Sequence, residues 1–304
     1  MGWSMTKKIL ITGGSGFIGR SLYEHFSGVF FSPLEKNVVS VGREELDLLD
    51  TEKVHEYLKQ NNFDVVIHSA GYDAAPRFSK KKSKLVLENN LKMFFNIAKA
   101  NEHFGKMIYF GSGAEAGREN WIPKMTEEYI ENKIPNDQYG LSKHLMNVHT
   151  NESENIYNFR LFGAFGKFDD WRYRFISNIC CKAALNMPIT INKNVRFDYL
   201  DVADLATATE MLINSDPERR SFNVCSGNVY DYKTLAKKVR QISGKKVKII
   251  LKEQGMNSEY SGTNSKLLKE FKDLRITPID DSIKGLYNWY NANKQIIRKE
   301  LFEY

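Results

Sequence analysis

The chain is poor in cysteine, with three among 304 residues: Cys180, Cys181 and Cys225. An odd number, two of them adjacent, makes a poor disulfide framework. Neighbouring cysteines do not bridge easily, and there is no CxxC pair for zinc. All three read as reduced thiols, which points to a cytoplasmic protein with no metal site. Long apolar runs are missing as well. None approaches the length of a membrane span, so no membrane partner is expected. Met1 to Lys8 carries two lysines and runs straight into a strand, which predicts no secretion signal. No repeat or low-complexity linker interrupts the chain. The net charge of +7 comes from 44 Lys and Arg against 37 Asp and Glu. A nucleic-acid binder would cluster that charge. Here the main cluster is Lys80, Lys81, Lys82 and Lys84, in one surface loop that reads as a solvated face. No nucleic-acid partner is expected; the excess supports only a weak attraction for phosphate-bearing small molecules.

What remains is ordinary for a globular chain: 42% hydrophobic and 27% charged residues. Such a length buries most of its apolar surface without staples. Apolar runs at Lys8–Thr12, Asn37–Val41, Asp64–His68, Lys106–Phe110 and Asn155–Phe162 read as strands. Helical periodicity separates them. Val54, Tyr57 and Leu58 share one face of Thr51–Gln60, with Asp50 as its N-cap. Leu87, Leu91, Phe94, Phe95 and Ala98 mark Ser83–Asn101, and Gln138–Thr150 forms another helix. Strands alternating with helices predict an α/β, doubly wound parallel sheet of the Rossmann type. Beyond Gly166 the alternation weakens. Asp169–Met187, Val202–Asn214 and Lys233–Ser243 are expected helices; Ile189–Ile191, Ser221–Cys225 and Lys246–Ile250 are expected strands. The expected division is a dinucleotide-binding domain over 1–166, with strands returning near 195–227, and a smaller C-terminal α/β substrate lobe over 167–304.

Thr12-Gly13-Gly14-Ser15-Gly16-Phe17-Ile18-Gly19 lies between the first strand and the first helix. Gly13 permits a tight turn, Gly16 lets backbone approach a pyrophosphate, and Gly19 lets the helix pack on the strand. The helix N-terminus then receives the negative charge, with Phe17 and Ile18 opening the helix beside the cofactor. The position after a strand and before a helix is what gives this glycine pattern its weight. A ribose-reading residue belongs at the end of the second strand, where the sequence reads Val41-Gly42-Arg43-Glu44. The planar fork of Arg43 suits a 2′-phosphate, so NADP(H) is favoured. NAD(H) stays open, because Glu44 turned inward would select it.

Tyr139 and Lys143, in Tyr-Gly-Leu-Ser-Lys, fall on one face of a helix. A nearby ammonium favours phenolate, so the tyrosine is tuned to exchange a proton with a substrate oxygen while hydride moves at carbon. Ser112 follows the fourth strand at the carboxyl edge, where ligands bind, and its hydroxyl is placed to bond the same oxygen. His68, at the end of a buried strand, reads as a satisfied core histidine. Trp121 and Trp171 read as packing residues.

With these motifs in this order, the chain resembles the extended short-chain dehydrogenases/reductases, the NAD-dependent epimerase/dehydratase family. Thr12 to Gly19 resembles its TGGxGFIG turn, and Asp47-Leu48 the pair that contacts adenine. His68-Ser69-Ala70-Gly71 resembles its HxAA segment lining the cofactor. Asn90 with Asn96 resembles its NxxxxxN helix. Ser112, Tyr139 and Lys143 resemble its catalytic triad, with Tyr139 and Lys143 also touching the cofactor. Arg160–Gly166, Asp198–Ala206, Phe222–Gly227 and Ser265–Gly285 resemble its remaining segments.

Within the family, Gly42–Asp50 is similar to GDP-fucose synthase and related 4-keto-sugar reductases, which use NADPH. That enzyme's epimerising cysteine and histidine are not matched: Ala114 stands at the cysteine position, and Asp169–Arg174 holds no histidine. Gly163 replaces the usual Asn of NVYG, and Arg196 stands beside the position of the phosphate-binding Arg. The resemblance therefore implies Ser112, Ala114, Gly163 and Arg196 as substrate contacts. It implies an NADPH-dependent reductase of a nucleotide-linked 4-keto sugar, in deoxy- or modified-sugar synthesis. A nucleotide-sugar 4-epimerase or dehydratase and a non-catalytic NADP(H) sensor are the alternatives. Arg43 and the Gly113-Ala114 after Ser112 speak against the first, the intact Ser112, Tyr139 and Lys143 against the second. The apolar faces of the helices bearing Leu91 and Tyr139 resemble the family's dimer-forming pair, so a homodimer is expected.

Overall fold

The structure, a computed structural model, describes residues 7–28, 37–73, 79 and 81–302. Lys80 of the lysine cluster and Met1–Thr6 of the expected signal-free start lie outside the described residues.

In chain order the elements are β1 (Ile9–Thr12), α1 (Phe17–Phe26), β2 (Val38–Val41), α2 (Thr51–Asn61), β3 (Phe63–His68), α3 (Val86–Ala98), β4 (Phe104–Ser112), α4 (Glu127–Glu131), α5 (Gln138–Asn151) and β5 (Ile156–Leu161). They continue as β6 (Ala164–Phe165), α6 (Phe175–Ala184), β7 (Ile189–Asp198), β8 (Leu200–Asp201), α7 (Val202–Ile213), β9 (Ser221–Val224), β10 (Val229–Asp231), α8 (Tyr232–Ser243), β11 (Ile249–Tyr260), α9 (Ser265–Glu270) and α10 (Ile279–Ala292). Two compact units result. One comprises Met1–Asn120, Glu127–Leu161 and Ala206–Asn223, the other Trp121–Thr126, Phe162–Leu205 and Val224–Tyr304.

The first unit is built on a six-stranded sheet in the order β2-β1-β3-β4-β5-β9. β1 pairs in parallel with β2 and β3, and β3, β4 and β5 follow in parallel. Every residue of β1 and β5 is buried; β1 reads as an apolar run for that reason, while β5 carries Asn158 and Arg160 among its apolar residues. The chain moves from β1 to one side and then to the other, so the strand order reverses at β1. A crevice outside the carboxyl end of β1 is where an open α/β sheet takes its ligand. The core gathers Leu10, Val54, Leu58, Val66, Phe94, Tyr109 and Met146. Each such side chain contributes about 1.5–3 kcal/mol by leaving water. Asp50 caps α2 by accepting from Lys53 N at 3.2 Å, and Asn62, at φ +46°, ends it in the left-handed region.

The second unit holds the three-stranded sheet β10-β7-β11 and the pair β6-β8. Ile176, Ile179, Ile189, Leu235, Val239, Ile283 and Tyr290 are central to its core. Three expectations are corrected here. Ile189–Ile191 is not a short strand before a loop: β7 runs to Asp198, between antiparallel β10 and parallel β11. Its polar stretch pairs with β11 through Lys193 and Asn194, and β10 joins on the other side at Arg196–Asp198. β11 likewise starts at Ile249 and reaches Tyr260, with register shifts after Glu253 and Asn257. Finally, α6 begins at Phe175 rather than Asp169. The Asp170 carboxylate accepts from Arg172 N at 3.2 Å and from Arg172 Nε at 2.7 Å, and the Asn178 amide donates to the carbonyls of Trp171 and Arg172 at 3.0 and 2.9 Å. Such local bonds compete with the helix.

Candidate active site

The glycine turn sits where the sheet order reverses. Gly13 has φ +73°, and a Cβ there would lie 2.6 Å from Ala70 N. A Cβ on Gly19 would meet Gly13 O at 2.3 Å. The turn is gripped from both sides: Gly14 N donates to Val41 O at 2.9 Å, and Ser69 Oγ donates to Thr12 O at 2.6 Å. Gly16 occupies the N-cap of α1, is exposed and makes no side-chain cap bond. A backbone cradle leading to an uncapped helix N-terminus suits a pyrophosphate. The residues present therefore fit a dinucleotide. Ser69 and Ala70 border the same turn, and Gly71 after them is exposed.

At the end of β2, Arg43 is exposed and paired with Asp47, Nη2 to Oδ2 at 3.4 Å. An exposed pair of this kind holds by about 0–1 kcal/mol and opens readily for a stronger anion. Leu48 is buried in the core, so its backbone is what it can offer. Asn96 donates to Leu48 O at 2.8 Å and fixes that segment. Asn90 clamps Tyr72 with two bonds, accepting from Tyr72 N at 2.8 Å and donating to Tyr72 O at 3.0 Å. The two asparagines thus fix the backbone at Tyr72 and Leu48. Lys81, read from the sequence as a solvated lysine, is exposed and also makes two local contacts. It donates to Gly71 O at 3.1 Å and lies 5.0 Å from the centre of the Tyr72 ring. Burial lowers its pKa, Asp73 works against this, and the charge of Arg43 adds to the lowering.

Ser112 ends β4 and caps a short 3-10 helix, Gly113–Ala116. Its hydroxyl oxygen accepts from Ala114 N at 3.2 Å. Tyr139 and Lys143 sit at the start of α5, which Asp137 caps by accepting from Gly140 N at 2.8 Å. Gly140 is the residue that lets α5 approach Ser112: a Cβ there would lie 2.5 Å from Ala114 O. A glycine in the first turn of a helix was the only sign of this in the sequence. Lys143 is buried, donates to Phe110 O at 2.8 Å, and lies 5.9 Å from the Tyr139 ring centre. Burial pulls its pKa down to about 8, with Glu115 acting in the opposite direction. His68 is buried and bonded to Thr12 Oγ1 at 2.9 Å, with its pKa depressed to about 3 by burial and by Lys143. It is therefore a neutral core histidine.

A second feature the sequence did not disclose lies beneath Ser112. Glu115 Oε1 accepts from Ser112 N at 3.0 Å, and Glu115 Oε2 accepts from Arg160 Nε at 2.7 Å. Glu115 and Arg160 are both buried, and Asn158 adds its amide at 3.3 Å. Arg160 also faces Glu131 at 3.6 Å and donates to Asn223 at 3.2 Å. Glu115 is thus locked beneath the serine turn.

Gly163, Arg196 and Ala114 were expected at the substrate. Ala114 lies in the 3-10 turn after Ser112, buried. Gly163 and Arg196 belong to the second unit. Gly163 has a packing reason of its own: a Cβ would lie 2.6 Å from Asp198 O. Arg196 projects from β7 and pairs with Glu259, Nε to Oε2 at 3.2 Å. Phe197 beside it packs on Tyr260, with ring centres 5.0 Å apart. Trp121 packs on Tyr260 and Trp171 on Phe302.

Residues 9–225 match the NAD dependent epimerase/dehydratase family. The chain belongs to that family, whose members are NAD(P)-dependent enzymes of the extended short-chain dehydrogenase/reductase type. It is 26% identical to UDP-glucose 4-epimerase of Bacillus subtilis, covering 79% of this chain and 83% of the relative. It is 23% identical to GDP-L-colitose synthase of Yersinia pseudotuberculosis, covering 87% and 91%. Its fold is similar to that of MlghC, a GDP-mannoheptose C4 reductase of Campylobacter jejuni solved with NADP bound. There the TM-score is 0.81 at 19% identity, covering 95% of this chain and 99% of the other. Among the described residues no helix is long and apolar enough to cross a membrane.

Proposed function

We propose that this chain is an NADPH-dependent reductase of a nucleotide-linked 4-keto sugar. The observation that carries the reading is the buried Lys143, anchored on Phe110 O beside the Tyr139 ring. A bound nicotinamide supplies the hydride. Tyr139 gives its phenolic proton to the carbonyl oxygen as that oxygen gains charge, and Lys143 stabilises the phenolate left behind. The Ser112 hydroxyl bonds the same oxygen and orients it. Arg43 holds the 2′-phosphate, and Lys81 adds positive charge to the same region. Gly13, Gly16, Phe17, Ile18, Asp47, Leu48, Ser69, Ala70 and Gly71 complete the cofactor site.

Two features argue against other outcomes on the same fold. Ala114 offers no thiol to move a proton at the neighbouring sugar carbons. Glu115, the nearest carboxylate after Ser112, is tied to Arg160 and to backbone, so it is not available as a dehydratase acid. In this reading residues 1–166 bind the dinucleotide and 167–304 the nucleotide sugar. Ala114 is the substrate contact offered by the first unit and Gly163 and Arg196 those offered by the second, where Arg196, itself 54% exposed, reaches a diphosphate by releasing Glu259. The product is a deoxy or modified sugar for a polysaccharide, made in the cytoplasm. Exposed Leu145 and Val148 on α5 suit burial in a homodimer.

The test offers NADPH with GDP-, UDP- and dTDP-linked 4-keto sugars in deuterated water. One NADPH consumed per alcohol formed, with no solvent deuterium at the carbons flanking the carbonyl, supports a simple reductase. The Tyr139→Phe variant should lose about 10²–10⁴-fold in kcat while binding NADPH as before. Sugar interconversion without net NADPH consumption identifies an epimerase. Cofactor binding without turnover on any substrate identifies a sensor.

A further inference from the structure

Two histidines and a glutamate converge near the amino end of β4, apart from the residues assigned above. His55 lies on α2. Glu102 and His103 are consecutive on the short 3-10 helix Asn101–His103 that leads into β4. Glu102 Oε1 is 3.6 Å from His55 Nε2 and 3.5 Å from His103 Nε2. One donor atom from each residue lies within 4.8 Å of the others, and the two imidazole centres are 5.2 Å apart. Among the described residues no other group of three such side chains comes this close.

These separations are long for hydrogen bonds, whose N···O distance centres on about 2.9 Å. They fit a coordination polyhedron. Zinc bonds of about 2.0–2.1 Å at tetrahedral angles set neighbouring donors about 3.4 Å apart. Two imidazoles and one carboxylate form a donor set that zinc accepts, and the borderline-soft nitrogens favour it over magnesium or calcium. The side chains of His55 and Glu102 are 53% and 56% exposed and that of His103 is 16% exposed, so one side of the group opens to water. A fourth ligand, water or a side chain of another molecule, has room to enter there.

We propose that His55, Glu102 and His103 form a divalent transition-metal site, with zinc the preferred ion. It is a structural clip rather than a catalytic centre. β4 runs from Phe104 to Ser112, and at about 3.3 Å per residue the metal lies some 26 Å along the strand from the serine. The metal joins α2 to the turn that enters β4. No short motif announces it, because His55 is distant in sequence from the Glu102-His103 pair.

The test titrates the full chain, free of any histidine tag, with Zn²⁺ by calorimetry and with Co²⁺ by visible absorption. The expected result is one equivalent of each, a tetrahedral or five-coordinate Co²⁺ spectrum, and a Tm that rises with Zn²⁺ concentration. His55→Ala and His103→Ala should each abolish the stoichiometric equivalent. His25→Ala, which removes the histidine paired with Glu210, should leave it intact. If His103→Ala fails to fold, the more exposed His55→Ala and Glu102→Gln carry the test. An absence of saturable binding, or an equivalent that survives these substitutions, overturns the proposal and leaves the group as surface ion pairs.

Discussion

The two compact units bury carboxylates in different ways. In the sheet unit, Glu115 is buried with a full cation, Arg160, at 2.7 Å. Burial works to lower the pKa of Arg160, but Glu115 and Glu131 outweigh it and the net shift is upward. In the other unit, Asp198 is buried among dipoles: Ser226 N and Oγ at 2.8 and 2.7 Å, and Gly227 N at 2.8 Å. Burial pushes its carboxyl up to about 6 against those bonds. Asp204, held by Thr277 N and Oγ1 at 2.8 and 2.7 Å, is raised for the same reason. The first arrangement holds a carboxylate against a guanidinium under Ser112 and within electrostatic reach of Lys143. The second latches loops onto strand and helix ends, and it needs acceptor atoms more than charge. Where a field has work to do, the chain buries an ion pair; where a loop must be pinned, it buries hydrogen bonds.

That contrast can be broken by substitution. Arg160→Met leaves Glu115 buried and unpaired, and should cost about 3–5 kcal/mol in denaturant unfolding. His68 probes the sheet unit through pH. Its folded pKa is about 3 against an ordinary 6.5, so the unfolded chain takes up a proton that the folded one refuses. Stability then falls as pH drops from 6.5 towards 3, on the order of 2 kcal/mol by pH 5. His68→Asn should flatten that part of a Tm-against-pH curve. Asp198→Asn, which keeps one acceptor oxygen, should cost about 1–2 kcal/mol. A cost equal to that of Arg160→Met would erase the distinction between the units.

The smallest effect is the most specific. If turnover needs charged Lys143, activity should fall on the basic side near pH 8, where Lys143 loses its proton. Glu115 supports that charge, so Glu115→Gln should move the basic limb to lower pH, by about one unit or less. A residue that only supports folding would not move the limb. Asp198→Asn should leave it in place.

Much of the sheet unit was legible because its strands are buried on both faces and spell themselves as apolar runs, as Ile9–Thr12 does. The α2 face of Val54 and Leu58 and its Asp50 cap were legible for the same local reasons. In the second unit the signal failed where exposure mixed the pattern. Asn192-Lys193-Asn194 reads as a loop, yet β11 pairs with it through Lys193 and Asn194, while β10 joins the strand further on, at Arg196–Asp198. Asp170 and Asn178 delayed α6 through side-chain bonds that no periodicity records. At the candidate site, Ser112, Tyr139 and Lys143 could be picked out by spacing and chain order. Glu115 could not, because its partner Arg160 comes from β5, 45 positions on. Gly140 showed only its type, and its reason, the close approach of Ala114 O, is tertiary.

In the function proposed above, this sheet holds a dinucleotide whose 2′-phosphate is read by Arg43. Fluorescence titration of the wild type and Arg43→Ala with NADPH and NADH tests it most directly. NADPH should bind more tightly and exchange freely, and Arg43→Ala should narrow the preference about tenfold or more through the loss of a charge-assisted bond. Preference for NADH, or NAD that stays bound through purification, would contradict it. Glu44 would then be the ribose contact, and the epimerase reading would replace the reductase.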